Sequence, residues 1–462
     1  MRKYIHLISM LVALAFITCA RNDDKAEAIC KGSTLQGRLT INLRVPAGAE
    51  CRLDGFLYMT NGTRFTAEPG AVIKGMNSRA ALIIEPGAKI FAEGTATNPV
   101  VFTSGQTSPA AGDWAGVMIF GNAGLPLTDD GDSTDDITGV KYGGSGNSAY
   151  GESSGTLRYV RIEYAGNASY TFSAPPINEN FDGLFLGAVG SGTTVEYVQV
   201  YKSGDDGIKI KGGTVNLRYI VLNNNLSDQI EAKGAWQGSI QYAILIPGNS
   251  GSSNNGISLE ENSVLQITNA TILGNAVDEL MKIKSSARLI MTNTYIAHFT
   301  NREIAFTNAA TLDLIDSGQS AIRATLLENM SNSGNTYHQK GRVLLGECLD
   351  GIGDALIGTD YCCDAGDPGY DAPNKRCDVP DEANIVQRYA GSNLTAGDNL
   401  QQNPLNCVYL NNDCSGVTLV PPTPAAGMAV TGNSFFVNDA RIGGAFNAWY
   451  AGWARRTDAV LY

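Results

Sequence analysis

The sequence predicts an all-β fold, a parallel β-helix solenoid with a disulfide-rich C-terminal segment, and three observations carry that prediction. A phrase made of a carboxylate or amide followed by alternating aliphatics occurs six times: DGLFL at 182, DGIKI at 206, DQIEA at 228, NGISL at 255, DELMKI at 278 and NREIAF at 301. A second phrase keeps step with it. RYVRI, EYVQV, RYIVL and QYAIL place Tyr159, Tyr197, Tyr219 and Tyr242 in register, and NATIL and NTYIA put Asn269 and Asn293 at the same point. Gly, Asn and Asp separate the phrases, as in GNAS, KSGDD, NNNLSD and PGNSGSSN, and these residues favour turns and bulges.

The first phrase starts at intervals of 24, 22, 27, 23 and 23 residues, a period that marks stacked structural units. Within DGIKI the alternation points Ile208 and Ile210 one way and Lys209 the other, as in a half-buried strand rather than a helical stripe. Each coil therefore holds at least two short strands and their turns, and like positions stack on like. Inward aliphatics then form one continuous core, each side chain stabilising it by roughly 1.5–3 kcal/mol. Tyr197 over Tyr219 over Tyr242, and Asn269 over Asn293, are expected as structural ladders rather than sites.

The ends differ from the middle. Arg2 and Lys3 precede an apolar run from Leu7 to Ile17, too short for a stable span and long enough for a secretory signal. Cys19 closes this run, and residues 1–19 resemble a bacterial lipoprotein signal in which that cysteine becomes the lipidated first residue. Phe16 and Thr18 depart from the usual lipobox, and the alternative is ordinary cleavage near Ala20. The expected organisation is then a linker and N-terminal cap over 20–50, the β-helix over 51–340, a Cys-rich insertion over 341–430 and a C-terminal cap over 431–462. The expected location is the outer membrane or cell surface, held by the lipid, or the secreted fraction.

Cysteine usage agrees with export. Besides Cys19 there are Cys30, Cys51, Cys348, Cys362, Cys363, Cys377, Cys407 and Cys414, an even number for which disulfides are the default. Cys30 with Cys51 would clamp the start of the helix. CxxC spacing is absent and neither His298 nor His338 lies among the cysteines, which argues against zinc. A net charge of −12 without a basic run argues against nucleic acid as partner. With His6 in the signal, His298 and His338 are the only histidines left to activate a nucleophile, and no GxSxG elbow occurs.

Several segments resemble a family of bacterial exported proteins, often lipoproteins, built on the pectate-lyase-like solenoid. These are ALIIEPGAKIFAEGTATNPVVFTS (81–104), GDWAGVMIFGNA (112–123), GTLRYVRIEYAG (155–166), GTTVEYVQVYKSGDDGIKIKGGTVNLRYI (192–220) and the tail DARIGGAFNAWYAGWARR (439–456). The resemblance implies a right-handed parallel β-helix and export, and no common activity.

Chemistry is sought first in the acidic positions. Asp182, Asp205, Asp206 and Asp228 would sit on successive rungs about 4.8 Å apart, with Glu231 near Lys209 on the same outer face. NFDG (180–183) and SGDDGIKI (203–210) are similar to the NTDG and GDDCIAI motifs of polygalacturonase-type glycoside hydrolases, which would make Asp182, Asp205 and Asp206 the catalytic carboxylates. The pattern then departs. Asp228 stands where those enzymes carry the His of GHG, Asn255 and Gly256 stand where they carry the Arg and Lys of RIK, and KIK at 282–284 comes a coil late. A polysaccharide hydrolase or lyase is therefore the alternative reading.

The leading expectation is an exported, lipid-anchored surface β-helix that binds a polysaccharide, a matrix component or an envelope protein and requires no cofactor. Tyr201, Lys202, Lys209, Lys211, Glu231 and Trp236 are the expected binding residues, projecting from the stacked coils. In DDGDSTDD, Asp130, Asp132, Thr134 and Asp136 alternate as oxygen ligands do in calcium loops. Trp449 and Trp453 are expected to cover the open end of the solenoid.

Overall fold

A computed structural model describes residues 25–124, 132–134, 138–144, 149–166, 170–171, 178–248, 255–274, 279–297, 302–306, 310–311, 314, 317, 319–323, 325–328, 370–371, 376–377, 433–441, 443–445 and 448–457. Within them the chain winds as a parallel β-helix whose main sheet has 25 strands. The strands of the repeated phrase stack in the predicted register. Leu184, Ile208, Ile230, Ile257 and Met281 form one inward column, and Leu186, Ile210, Ala232, Leu259 and Ile283 the next. All ten are fully buried in one core that runs the length of the stack.

Each coil has three flat faces. The first carries the repeated phrase, in strands such as Leu184–Val189, Ile208–Gly213 and Ile230–Lys233. The other two come from a single longer strand, such as Thr194–Tyr201, Asn216–Asn223 and Gln237–Ile246, bent at the second phrase. Tyr159, Tyr197, Tyr219, Tyr242, Asn269 and Asn293 occupy the bend with φ between 49° and 59°. Asn tolerates that left-handed conformation, whereas for Tyr it costs roughly 1–2 kcal/mol. Stacking offsets the cost: successive tyrosine rings lie 4.3, 4.3 and 4.8 Å apart and nearly parallel, worth about 0.5–1.5 kcal/mol per pair.

Glycine after the aspartate serves close approach rather than a left-handed turn. Neither Gly183 nor Gly207 has a positive φ; a Cβ on Gly183 would meet the Gly207 carbonyl oxygen at 2.8 Å, and one on Gly207 the Gln229 oxygen at 2.7 Å.

Coil stacking starts earlier than residue 51, because Glu27–Ile29 already pairs in parallel with Asn42–Val45. Leu43 and Val45 alternate inward there with only two buried aliphatics, too short a pattern to stand out in sequence. Cys30 and Cys51 are joined across these first coils. The disulfide encloses a loop with a sequence separation of 21 residues, a size for which loop closure contributes about 3 kcal/mol. Cys30→Ser with Cys51→Ser is expected to lower unfolding stability by that order, measured by urea titration. An unchanged midpoint would mean that the first coils fray independently of the core. Cys19, where lipidation is expected, lies outside the described residues, as do Cys348, Cys362, Cys363, Cys407, Cys414 and the side chain of Cys377.

The C-terminal segment does not cover an open end of the solenoid. It lies lengthwise along the third face. Asn269 and Asn293 both donate from Nδ2 to the Asp439 carbonyl at 3.1 Å. Trp449 stands edge-on to Tyr219 and Trp453 edge-on to Tyr159, and Gln199 exchanges two hydrogen bonds of 2.6 Å with the Arg455 backbone. This strap buries a second apolar cluster of Val221, Ile244, Ile246, Leu273 and Tyr295 beneath Trp453 and Ala454.

Candidate functional site

The acidic residues of the repeated phrase converge at one edge of the first face. The coil-to-coil backbone bonds Gly183 N to Asp206 O (2.9 Å) and Gly207 N to Asp228 O (2.8 Å) hold the aspartates one above another. Their side chains continue the ladder. Asp206 Oδ1 accepts from the Asp228 amide at 2.9 Å, and Asp228 Oδ1 accepts from the amide and the Nδ2 of Asn255, both at 2.8 Å. Asp182, Asp205, Asp206 and Asp228 are all buried.

Lys209 projects outward into this group, as its place in the alternation predicts. Its Nζ lies 2.8 Å from Glu231 and 3.8 Å from both Asp182 and Asp206. Lys233 completes the cluster at 3.1 Å from the other oxygen of Glu231. Asp182 Oδ1 is buried with no hydrogen-bond partner.

Burial dominates the titration of these groups. Desolvation pushes Asp182 and Asp206 well above the usual carboxylate range, and in Asp206 the neighbouring Asp182 and Asp228 charges add to it. Asp205 is raised too, first by burial, against the opposing charge of Lys209. Burial raises Asp228 to about 7, and the hydrogen bonds from Asn255 oppose this. In Glu231 the two lysines overcome desolvation and hold the carboxyl at about 2. The same carboxylates keep Lys209 charged, raising its pKa although burial alone would lower it. One strongly ionised carboxylate thus stands beside several that resist ionisation, the separation that acid–base chemistry uses. The Lys209 ammonium, however, stands 3.8 Å from both Asp182 and Asp206, two of the carboxylates between which an inverting hydrolase would have to hold its water.

Beyond this edge the first face carries charge in columns. Lys209, Glu231, Ser258 and Lys282 are in register, and Lys211 is in register with Lys233. Glu260 and Lys284 form a 2.7 Å ion pair one coil further on.

The six expected binding residues do not form one surface. Lys209, Lys211 and Glu231 share the first face. Trp236 is fully buried in the core, where its Nε1 donates to the Val215 carbonyl at 3.1 Å. Tyr201 is 1% exposed; it does point outward, but from the third face, where Tyr164 and the Arg455 guanidinium cover it. Lys202 stands at a left-handed turn beside it, φ 54°. Period-two alternation gives direction within a strand and cannot show that another segment lies on top. The backbone of Asp132–Thr134 pairs antiparallel with Lys141–Gly143, while the side chains of Asp130, Asp132, Thr134 and Asp136 lie outside the described residues.

Two features escaped the sequence reading. Lys233 follows from the same alternation as Lys209 and could have been included. Glu163, buried at 1%, accepts at Oε1 from Arg161 Nε (2.8 Å) and Arg455 Nε (3.0 Å), a contact across 292 residues with no local signal.

A family model described as a pectate-lyase-like β-helix domain matches residues 37–347. No curated protein and no solved structure matches the chain.

Proposed function

The chain belongs to the pectate-lyase-like β-helix domain family, and from that premise we propose that it is an exported, lipid-anchored surface protein that binds a polysaccharide along its first face. The observation that carries this reading is the column arrangement of that face. Lys209, Lys211, Lys233, Lys282 and Lys284 gather there with Glu231 and Glu260 on a chain of net charge −12. Coils recur about every 4.8 Å, so a linear polymer lying along the axis meets a charged side chain at each step. Lys211 and Lys233 are half-buried and stiffened by their strands, which reduces the entropy lost on binding.

The test is retention of the purified protein on immobilised neutral and acidic polysaccharides. Lys211→Glu with Lys233→Glu should weaken retention at least tenfold at low salt, and the loss should shrink as salt screens the face. Retention of an envelope protein instead of any glycan would move the partner to that class.

A second reading, a polysaccharide hydrolase or lyase, draws on the contrast between Glu231 at about 2 and Asp228 at about 7. Release of reducing ends or unsaturated products, abolished by Asp205→Asn or Asp206→Asn, would establish it over the binding role. For the anchor, palmitate labelling should disappear in Cys19→Ala.

A further inference from the structure

We infer that the flank of the coils beneath the C-terminal strap is a docking groove for an extended chain, and that the strap of a second copy of this protein occupies it in exchange for the first copy's own. The groove reads main chain. Gln199 donates from Nε2 to the Arg455 carbonyl and accepts from the Arg455 amide, both at 2.6 Å. Gln241 treats Val437 in the same way, at 2.8 and 2.9 Å. Asn223 donates to the Arg456 carbonyl at 3.2 Å, Asn269 and Asn293 share that of Asp439, and the Asn293 carbonyl accepts from the Gly443 amide at 2.8 Å. These side chains do for the strap what an edge strand does for an added peptide, where main-chain bonds supply affinity and pockets supply selectivity.

Selectivity here comes from fit. Trp449 and Trp453 stand against the tyrosine ladder, and Gly444 is pressed so closely that a Cβ on it would meet the Asn269 carbonyl oxygen at 2.7 Å. A second copy of the chain meets every one of these requirements, because its strap is the same.

The strap is also placed to be exchanged. Its bonds to Gln199, Gln241, Asn269 and Asn293 cross sequence separations of 146 to 256 residues, so no local connection ties occupant to groove. More than 100 residues lie between the last described strand of the helix, Leu326–Glu328, and Asn433. The longer such a connection, the smaller the advantage that a chain's own strap holds over a neighbour's. The apolar cluster under the strap is distinct from the core that runs the length of the stack, so a strap leaves without opening the coils. When each copy fills the other's groove the contact is the same in both directions, and the pair closes as a twofold dimer instead of growing into a filament. The charged columns of the first face take no part, which makes the inference independent of the polysaccharide reading.

A dye-labelled peptide of residues 433–457 would be titrated by fluorescence anisotropy into two full-length proteins, the unaltered chain and Gly444→Val, whose own strap is expected to lift. The peptide should bind Gly444→Val saturably, at least tenfold more tightly than a peptide that itself carries Gly444→Val. It should bind the unaltered chain, whose groove is filled, at least tenfold more weakly. The exchange is read by light scattering on the unaltered chain, equilibrated in urea below its unfolding transition at a series of protein concentrations. The dimer share should rise with concentration, contain no intermolecular disulfide on a non-reducing gel, and return to monomer with excess unlabelled peptide. If Gly444→Val fails to fold, the concentration series with peptide competition decides. No binding to a folded Gly444→Val, equal affinity for the two peptides, monomer at every concentration, or a dimer that the peptide leaves intact would overturn the inference.

Discussion

Replacing Lys209 with methionine is expected to lower stability by about 3–5 kcal/mol at pH 8 and by markedly less at pH 5, measured by urea denaturation at both values. Methionine keeps much of the aliphatic stem and removes the ammonium that Asp182, Asp206 and Glu231 share. At pH 8 the carboxylates would then be left ionised in a buried site or forced to take up protons, and either course costs free energy. Because burial raises Asp182 and Asp206, lowering the pH protonates them more readily than ordinary carboxylates, and less charge is left uncompensated. An equal loss at the two pH values would mean that Lys209 acts through packing of its stem rather than through charge.

The unaltered protein should show the matching pH profile. Asp228 is raised in the folded state from 3.8 to about 7, so the folded form binds the extra proton between those values and stability falls as pH rises through them. Glu231 works in the opposite direction: lowered from 4.5 to about 2, it contributes stability present above 4.5 and lost as pH falls towards 2. The cluster alone therefore places the optimum in mildly acid solution. Asp228→Asn keeps an oxygen for the two bonds from Asn255 and removes that residue's share of the falling limb, to which the raised Asp182, Asp205 and Asp206 also contribute, with a gain on the order of 3 kcal/mol at pH 8.

The strand ladder was legible in the sequence because its causes are local. Alternation in DGIKI and its five companions requires only that one side of a strand be dry, and the register Leu184, Ile208, Ile230, Ile257 follows from aligning the phrases. Assembly of Asp182, Asp206 and Asp228 at one edge follows from the same alignment. What the alignment could not supply was the state of that edge. Burial of four aspartates and the approach of Asp182 and Asp206 to Lys209 depend on what packs beside the coils. Likewise Tyr201 and Trp236 are aromatic, and their sequence neighbourhood does not say whether they face water. Tyr201 is covered by a segment more than 250 residues away, and Trp236 turns into the core. The strap did leave a trace in the sequence. YIVL, YAILI and NATIL run nearly continuously apolar where the phrase on the first face alternates, and a strand apolar on both sides is one covered on both sides.

That covering leads to the second large effect, in Gly444→Val. A side chain at Gly444 would run into the backbone oxygens of Ala243 and Asn269, the latter at 2.7 Å. Neither oxygen can retreat, because both belong to strands held in register by coils on each side. Thr271 Oγ1, which accepts from the Gly444 amide at 2.9 Å, would lose that bond as the strap lifts. Val221, Ile244, Ile246, Leu273 and Tyr295, each at most 3% exposed, would then face water at roughly 1.5–3 kcal/mol for each fully uncovered aliphatic. The buried amides of Gln199, Gln241, Asn269 and Asn293 would exchange the strap for water at small net cost. The expected loss is therefore about 5 kcal/mol or more, with a red shift of Trp449 and Trp453 emission and binding of an apolar dye. Gly452→Ala is the control: it has a left-handed φ of 82° with open space around the added carbon, so only the backbone cost of roughly 1–2 kcal/mol applies. Retained stability and unshifted tryptophan emission in Gly444→Val would mean that the aliphatic flank does not depend on the strap for its cover. Loss in Gly444→Val together with near-normal behaviour of Gly452→Ala would make the strap residues 443–445 and 448–457 part of the hydrophobic core of a helix whose repeated phrases end more than 100 residues earlier.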